Sequence, residues 1–204
     1  MRTASFADLA TIIATRQARA GSTRVIGIDG PAGSGKTMFA TRLADVLDAT
    51  MICLDDLTPA WTGPDKEAGL LVEQMLAPLA TGGVPRYRFF DWVQDRYTEQ
   101  REVPRGPTLI VEGVGAGSRI VLPYLSYLVW VEAPGALRLA RGIERDGDAR
   151  RPEWERWRMK EDALFAREGT RDAADLIVDG APTLAHNSAG EYVAVGPGSE
   201  LRGP

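Results

Sequence analysis

The chain has few of the residues that carry redox, metal or nucleophilic chemistry. It holds one cysteine, Cys53, and one histidine, His186, in 204 residues. A single cysteine excludes an internal disulfide, and a reducing, cytoplasmic setting is the expectation. Cys53 lies in the apolar run Met51-Ile52-Cys53-Leu54 and reads as a small buried hydrophobe. His186 sits in a tail of small residues and draws no catalytic role. No apolar run approaches the roughly 20 residues of a membrane-spanning helix, and Asp8 and Arg16 interrupt the N-terminal region, so neither a membrane partner nor export is expected. Positive charge is not in excess either: 24 Lys and Arg stand against 28 Asp and Glu, a net charge of −4. That balance argues against a general nucleic-acid binder.

What is present is an ordinary globular composition, 44% apolar and 25% charged, which excludes broad disorder. The length fits one α/β domain spanning 1–204. Residues 5–19 have helical spacing, with Ser5 and Asp8 resembling an N-cap pattern. Continuous apolar strands are expected at 24–29, 50–54, 108–113, 125–132 and 176–178. Helices are expected at 38–47, 67–79, 134–144 and 153–167. Residues 87–92 read as a strand or extended segment, and 192–195 as a last edge strand or a loose end of the tail 181–204. Strands without alternation, separated by helices, imply a mostly parallel sheet covered on both faces, a three-layer α/β/α architecture.

Between the first buried strand and the first long helix lies Gly30-Pro31-Ala32-Gly33-Ser34-Gly35-Lys36-Thr37, which matches G-x-x-x-x-G-K-[ST] in full. Gly33 and Gly35 permit backbone angles that other residues resist. The loop's N–H groups, with those of Ser34 and Ala32, can then surround an anion at a helix N-terminus. Lys36 has the reach for the β- and γ-phosphates, and Thr37 has a hydroxyl for Mg²⁺. A nucleoside triphosphate is the ligand this pattern points to.

Other candidates follow from strand ends and charge clusters. Ligands in open α/β sheets sit beyond the carboxyl ends of strands. Asp55 and Asp56 follow the second strand and Glu112 ends the third, so Asp55 is a candidate base and Glu112 a candidate magnesium-side acid; a cap or a solvated turn is the plain alternative. Arg138, Arg141 and Arg145 share a helix face, followed by Arg150 and Arg151; Glu144, Asp146 and Asp148 between them allow a solvated ion-pair face instead. Arg156, Arg158 and Lys160 alternate with Glu155 and Glu161 and read as surface. Arg86-Tyr87-Arg88-Phe89-Phe90-Asp91-Trp92 suits stacking of a base or sugar, or else core packing, and Trp61 is a second candidate wall.

These motifs together resemble the uridine kinase family of P-loop kinases, in a divergent bacterial branch, over most of residues 24–180. The resemblance rests on Ile26-Gly27-Ile28-Asp29 leading into the glycine loop, Leu54-Asp55-Asp56, Phe90-Asp91-Trp92, Val111-Glu112-Gly113, Arg138-Leu139-Ala140-Arg141, Arg145-Asp146 and Arg150. It implies a kinase using ATP and Mg²⁺, with Asp55 as the base for the acceptor hydroxyl. Phe90 and Asp91, with Asp56, Trp92 and Arg150, would hold the acceptor. Residues 138–152 would form a lid, with Arg138 on the nucleotide and Arg141 and Arg145 at the γ-phosphate. A small-molecule acceptor, most simply a nucleoside, is implied, and a homo-oligomer is allowed. The chain departs from the family's usual pattern in two places. Asp55-Asp56-Leu57-Thr58 replaces Asp-Ser-Phe-Tyr, and Gln94 and Asp95 stand where a histidine commonly follows the aromatic segment. Both departures fall on the acceptor side, which leaves a kinase for another small alcohol, such as a sugar or vitamin precursor, or a nucleotide-binding regulatory module as alternatives.

Overall fold

A computed structural model describes residues 1–195 apart from 60 and 62; the last part of the expected tail, 196–204, lies outside the described residues. In chain order the elements are β1 (Arg2–Ser5), α1 (Phe6–Thr15), β2 (Arg24–Asp29), α2 (Lys36–Leu47), β3 (Thr50–Cys53) and a 3-10 turn at Leu54–Leu57. A helical run follows, made of α3 (Pro64–Leu71), a π-helical turn (Val72–Leu76) and α4 (Ala77–Ala80). Then come β4 (Arg86–Asp91), β5 (Arg96–Glu102), β6 (Thr108–Glu112), β7 (Leu125–Glu132), α5 (Gly135–Asp146), a 3-10 turn (Asp148–Arg150) and α6 (Arg151–Glu168). The described chain ends with α7 (Thr170–Ala173), β8 (Leu176–Asp179) and β9 (Glu191–Ala194).

The main sheet has the order β1-β9-β8-β7-β2-β6-β3. The pairs β7–β8, β2–β7, β2–β6 and β3–β6 are parallel, and β9 runs antiparallel to both β8 and β1. β2 lies inside this sheet with a parallel neighbour on each side, so both of its faces are covered and Val25 to Asp29 are all buried. Its residues alternate between two cores. Ile26 and Ile28 face Phe6, Leu9, Ile13, Phe39 and Leu43 of α1 and α2. Val25 faces the other layer, which includes Leu71, Met75, Leu76 and Leu79 of the helical run. Helices on both faces of a mostly parallel sheet make the three-layer α/β/α fold, as expected. The carboxyl ends of β2, β6 and β3 lie side by side, with Glu112 ending β6 and Asp55 and Asp56 following β3, whereas Asp91 ends β4 of the separate hairpin.

Local signals account for the helix starts. Ser5 Oγ accepts the Asp8 N–H at 3.0 Å and caps α1, and Pro64 opens α3, earlier than the expected start at 67. Two strands carry no apolar signature. β5 has an almost wholly exposed, charged sequence, and β1 is short and polar. β4 and β5 pair as a separate antiparallel hairpin, which makes Arg86–Asp91 a strand. The segment expected as an edge strand, β9, is instead interior, because β1 covers its far side. Tyr192 on β9 packs against Phe6 and Phe39 at ring separations of 5.3 and 5.4 Å, which secures this part of the tail. Among the described residues no helix is long and apolar enough to cross a membrane.

Candidate active site

The glycine loop joins β2 to α2 and opens into a cavity of about 730 Å³ at the carboxyl edge of the sheet. Gly33 shows why its residue type is required: its φ is +77°, and a Cβ there would stand 2.6 Å from the Arg138 carbonyl oxygen. Lys36 is buried, and its Nζ donates to the Pro31 carbonyl at 3.3 Å. Behind the loop, fully buried Asp29 accepts N–H bonds from Gly30 at 2.7 Å, Gly115 at 3.0 Å and Gly117 at 2.8 Å. It thereby ties the loop to the turn after β6. Burial raises the Asp29 pKa to about 6 against the pull of those N–H groups and Lys36.

Glu112, buried at the end of β6, accepts a hydrogen bond from Thr37 Oγ1 at 3.2 Å. Burial raises its pKa, Lys36 opposes that, and Asp55 adds to it. A hydroxyl and a carboxylate held together beside an anion loop are hard oxygen donors of the kind Mg²⁺ takes. Among the described residues no group of three or more His, Cys, Asp or Glu side chains is placed to hold a metal.

Asp55 stands on the 3-10 turn after β3 and lines the same cavity. Its side chain is open to the cavity water, yet enough protein surrounds it to raise its pKa; the positive charges of Lys36 and Arg145 oppose the rise. Its backbone is clamped by the hairpin. Trp92 Nε1 donates to the Asp55 carbonyl at 2.8 Å, and Tyr97 Oη donates to the Leu57 carbonyl at 3.1 Å.

The arginines separate into distinct positions. Arg138 is buried and pairs with fully buried Glu161 at 2.7 Å, while its Nη1 also donates to the Ala32 carbonyl at 3.3 Å. Glu161 accepts the Ala32 N–H at 2.8 Å, so both polar groups of one loop residue are held by α5 and α6. The surface reading of Glu161 is therefore corrected; its carboxylate faces inward because Arg138 and the loop satisfy it. Arg141 donates to the carbonyls of Gly33 and Gly180, each at 3.1 Å, and lines the cavity. Arg145 also lines it, paired with Asp146 at 2.7 Å and lying over Trp154 at 5.6 Å. Arg150 is exposed and does not border the cavity.

The aromatic segment divides as well. Trp92 borders the cavity, whereas Phe90 is buried against Tyr97 with ring centroids 5.1 Å apart. Asp91 accepts N–H bonds from Val93 and Gln94, each at 2.9 Å, and so spends its carboxylate on its own turn. Asp56 does not border the cavity and faces Arg101. Trp61, expected as a wall, borders the cavity, and the structure adds Trp154 and Trp157 to it, 5.8 and 6.0 Å from Trp61 in edge-on contact. Trp154 sits tightly on α5, where a Cβ at Gly142 would approach its Cε2 to 2.4 Å. Glu67, buried on α3, also borders the cavity. Trp154 and Trp157 share a helix face three residues apart, a spacing visible in the sequence. Glu67 has no such signal, because one acid near a helix start ordinarily reads as solvated.

No family model matches the chain. Curated relatives include the uridine kinase of Borrelia hermsii, 24% identical, and that of Borrelia turicatae, 25% identical; each aligns with 83% of this chain and 91% of the relative. Among solved structures, a protein described as a possible uridine kinase from Bacillus stearothermophilus superposes with a TM-score of 0.61 at 20% identity, covering 84% of this chain and 96% of that one. A Silicibacter protein provisionally named a fructose transport system kinase gives a TM-score of 0.60 at 19% identity, covering 80% and 95%. The similarity to uridine kinase-like P-loop kinases thus extends over most of the chain, at an identity that marks this chain as divergent.

Proposed function

We propose that the protein is an ATP-dependent kinase that phosphorylates a hydroxyl of a small molecule, most simply a nucleoside, with a sugar or vitamin precursor as the alternative acceptor. The observation that carries this reading is the convergence of Asp55, Glu112 and Lys36 on one cavity at the strand ends. Phosphate binding alone requires the loop and Lys36; it does not require an acid facing them from the next strand.

In this reading the loop N–H groups and Lys36 hold the donor phosphates. Thr37 and Glu112 would hold Mg²⁺, which supplies charge neutralisation to the phosphate oxygens. The acceptor oxygen forms a bond to the γ-phosphorus as the bond to the β,γ-bridging oxygen breaks. Asp55 takes the hydroxyl proton, and ADP leaves with the bridging oxygen. A pKa raised by its surroundings makes Asp55 a better proton acceptor than an ordinary carboxylate. Arg145 contributes positive charge at the cavity, while Arg141 fixes the loop through Gly33 and Gly180. The same chemistry suits a cytoplasmic setting, where ATP is plentiful.

The test is ADP release measured with ribonucleosides, pentoses, hexoses and vitamin-precursor alcohols. Stimulation by at least one acceptor, with a phosphorylated product detected by mass, is the expected result. ATP binding with no stimulation by any of them would replace the kinase by a nucleotide-binding module.

A further inference from the structure

Glu67 is 3% exposed and borders the cavity that holds Asp55. One of its carboxyl oxygens, Oε1, accepts a hydrogen bond from the buried Thr58 hydroxyl at 2.8 Å. The other, Oε2, is buried with no hydrogen-bond partner among the described residues. A buried carboxyl oxygen left unsatisfied is costly, and such groups in native proteins generally have a partner supplied from outside the chain or a functional role. Thr58 fixes the carboxyl plane, so the direction of the free oxygen is set before any ligand arrives.

The chemistry of the expected partner follows from the surroundings. Burial and the neighbouring Asp55 raise the Glu67 pKa to about 8, against the Thr58 hydrogen bond and Lys36, so the group is neutral near pH 7. A neutral carboxyl offers an O–H and a lone pair, which suit an uncharged hydroxyl; an ammonium ion would need the charged form. The indoles of Trp61, Trp154 and Trp157 border the same cavity and suit the C–H faces of a sugar ring. Asp91 does not compete for this role, since its oxygens close its own turn.

We propose that Glu67, oriented by Thr58, is the specificity-determining residue of the acceptor site and binds a second hydroxyl of a polyhydroxylated acceptor, a sugar ring either free or within a nucleoside. This rests on the kinase reading: one hydroxyl lies at Asp55 for transfer, and another lies at Glu67 for recognition. An acceptor lacking that second hydroxyl leaves Oε2 buried without a partner and is rejected.

The experiment is calorimetric binding of uridine, D-ribose and D-fructose, each against its monodeoxy analogues, in the presence of a non-hydrolysable ATP analogue. It uses the wild-type chain, Glu67→Gln and Glu67→Met. In the wild type and Glu67→Gln, loss of one hydroxyl is expected to weaken a bound polyol about tenfold to a hundredfold. In Glu67→Met the ratio should fall to within about twofold of unity. A wild-type ratio retained in Glu67→Met, or no polyol bound at all, overturns the proposal. The infrared carboxyl C=O band that Glu67→Gln removes gives a second readout that does not depend on Glu67→Met folding. It should shift on adding the polyol and stay fixed with the deoxy analogue; a band unmoved by any polyol is the contrary result. ADP release with the same compounds separates the two claims. Turnover with an unaltered ratio in Glu67→Met keeps the kinase and removes this role of Glu67. A ratio lost as expected, without turnover for any acceptor, does the reverse.

Discussion

The two halves of the cavity are built in opposite ways. On the phosphate side, Gly30 to Thr37 are consecutive, and strand, loop and helix follow each other without interruption. On the acceptor side, Asp55, Glu67, Trp92 and Trp154 come from a 3-10 turn, α3, the hairpin's turn and α6. A phosphate presents the same oxygens whatever it is attached to, so one short stretch of backbone suffices to bind it. An acceptor differs from one enzyme to the next, and walls drawn from separate elements can vary without disturbing the loop. The departures from the uridine kinase pattern at 55–58 and 94–95 fall on this second half.

Substitutions can break the two halves apart. The largest effect is expected from Lys36→Ala, which removes the loop side chain proposed to hold the donor phosphates. Turnover should fall about a thousandfold or more, and nucleotide affinity should fall with it. Steady-state kinetics with nucleotide binding checks both, and unchanged affinity would contradict the assignment of the phosphate side.

Glu161→Ala tests whether the local loop depends on a distant clasp. It strands Arg138 in a buried position and frees the Ala32 N–H, so a loss of about 3 kcal/mol in unfolding free energy is expected. Chemical denaturation measures it, and a loss under about 1 kcal/mol would mean that the loop holds its shape alone. Asp55→Asn should separate the halves most cleanly. Transfer is expected to drop about a hundredfold while ATP affinity stays within about twofold, because the proposed base stands on the turn after β3 and not on the glycine loop. Full turnover in that variant removes Asp55 from the mechanism.

The last test concerns pH and the acceptor side alone. In the unfolded chain Glu67 loses its proton near the ordinary value of 4.5, whereas the folded chain keeps it until about pH 8. Between those values the folded state binds more protons, so wild-type stability falls as pH rises, by at most about 1.4 kcal/mol per pH unit, and is flat for this group above the folded pKa. Glu67→Gln removes that contribution. Denaturation at pH 5, 6.5 and 8 should show the variant gaining on the wild type, and parallel pH curves would count against a neutral Glu67.

The parallel sheet was legible because β2, β6 and β7 are covered on both faces and must be apolar throughout. β5 was not legible, since a charged strand paired only with its hairpin partner needs no apolar face. The arginine cluster shows the same division. Its helical spacing was readable, but nothing in the sequence separates Arg138, buried against Glu161, from Arg150, exposed to water. Glu161 and Glu67 both have the local appearance of surface acids, and both are buried in the fold, Glu161 against Ala32 and Arg138 and Glu67 against Thr58.

By itself the sequence determined the mostly parallel α/β class and the phosphate loop with Lys36 and Thr37, because apolar runs and the backbone angles of a glycine loop are local properties of the chain. It also placed Asp55 and Glu112 at strand ends, since those ends follow directly from the apolar runs. Only the tertiary structure decided what stands opposite them: Glu67 with a free oxygen, the three-indole wall, and Arg138 turned onto Ala32. Those contacts join segments far apart in the chain, and burial, charge pairing and unsatisfied hydrogen bonds exist only once the segments have met.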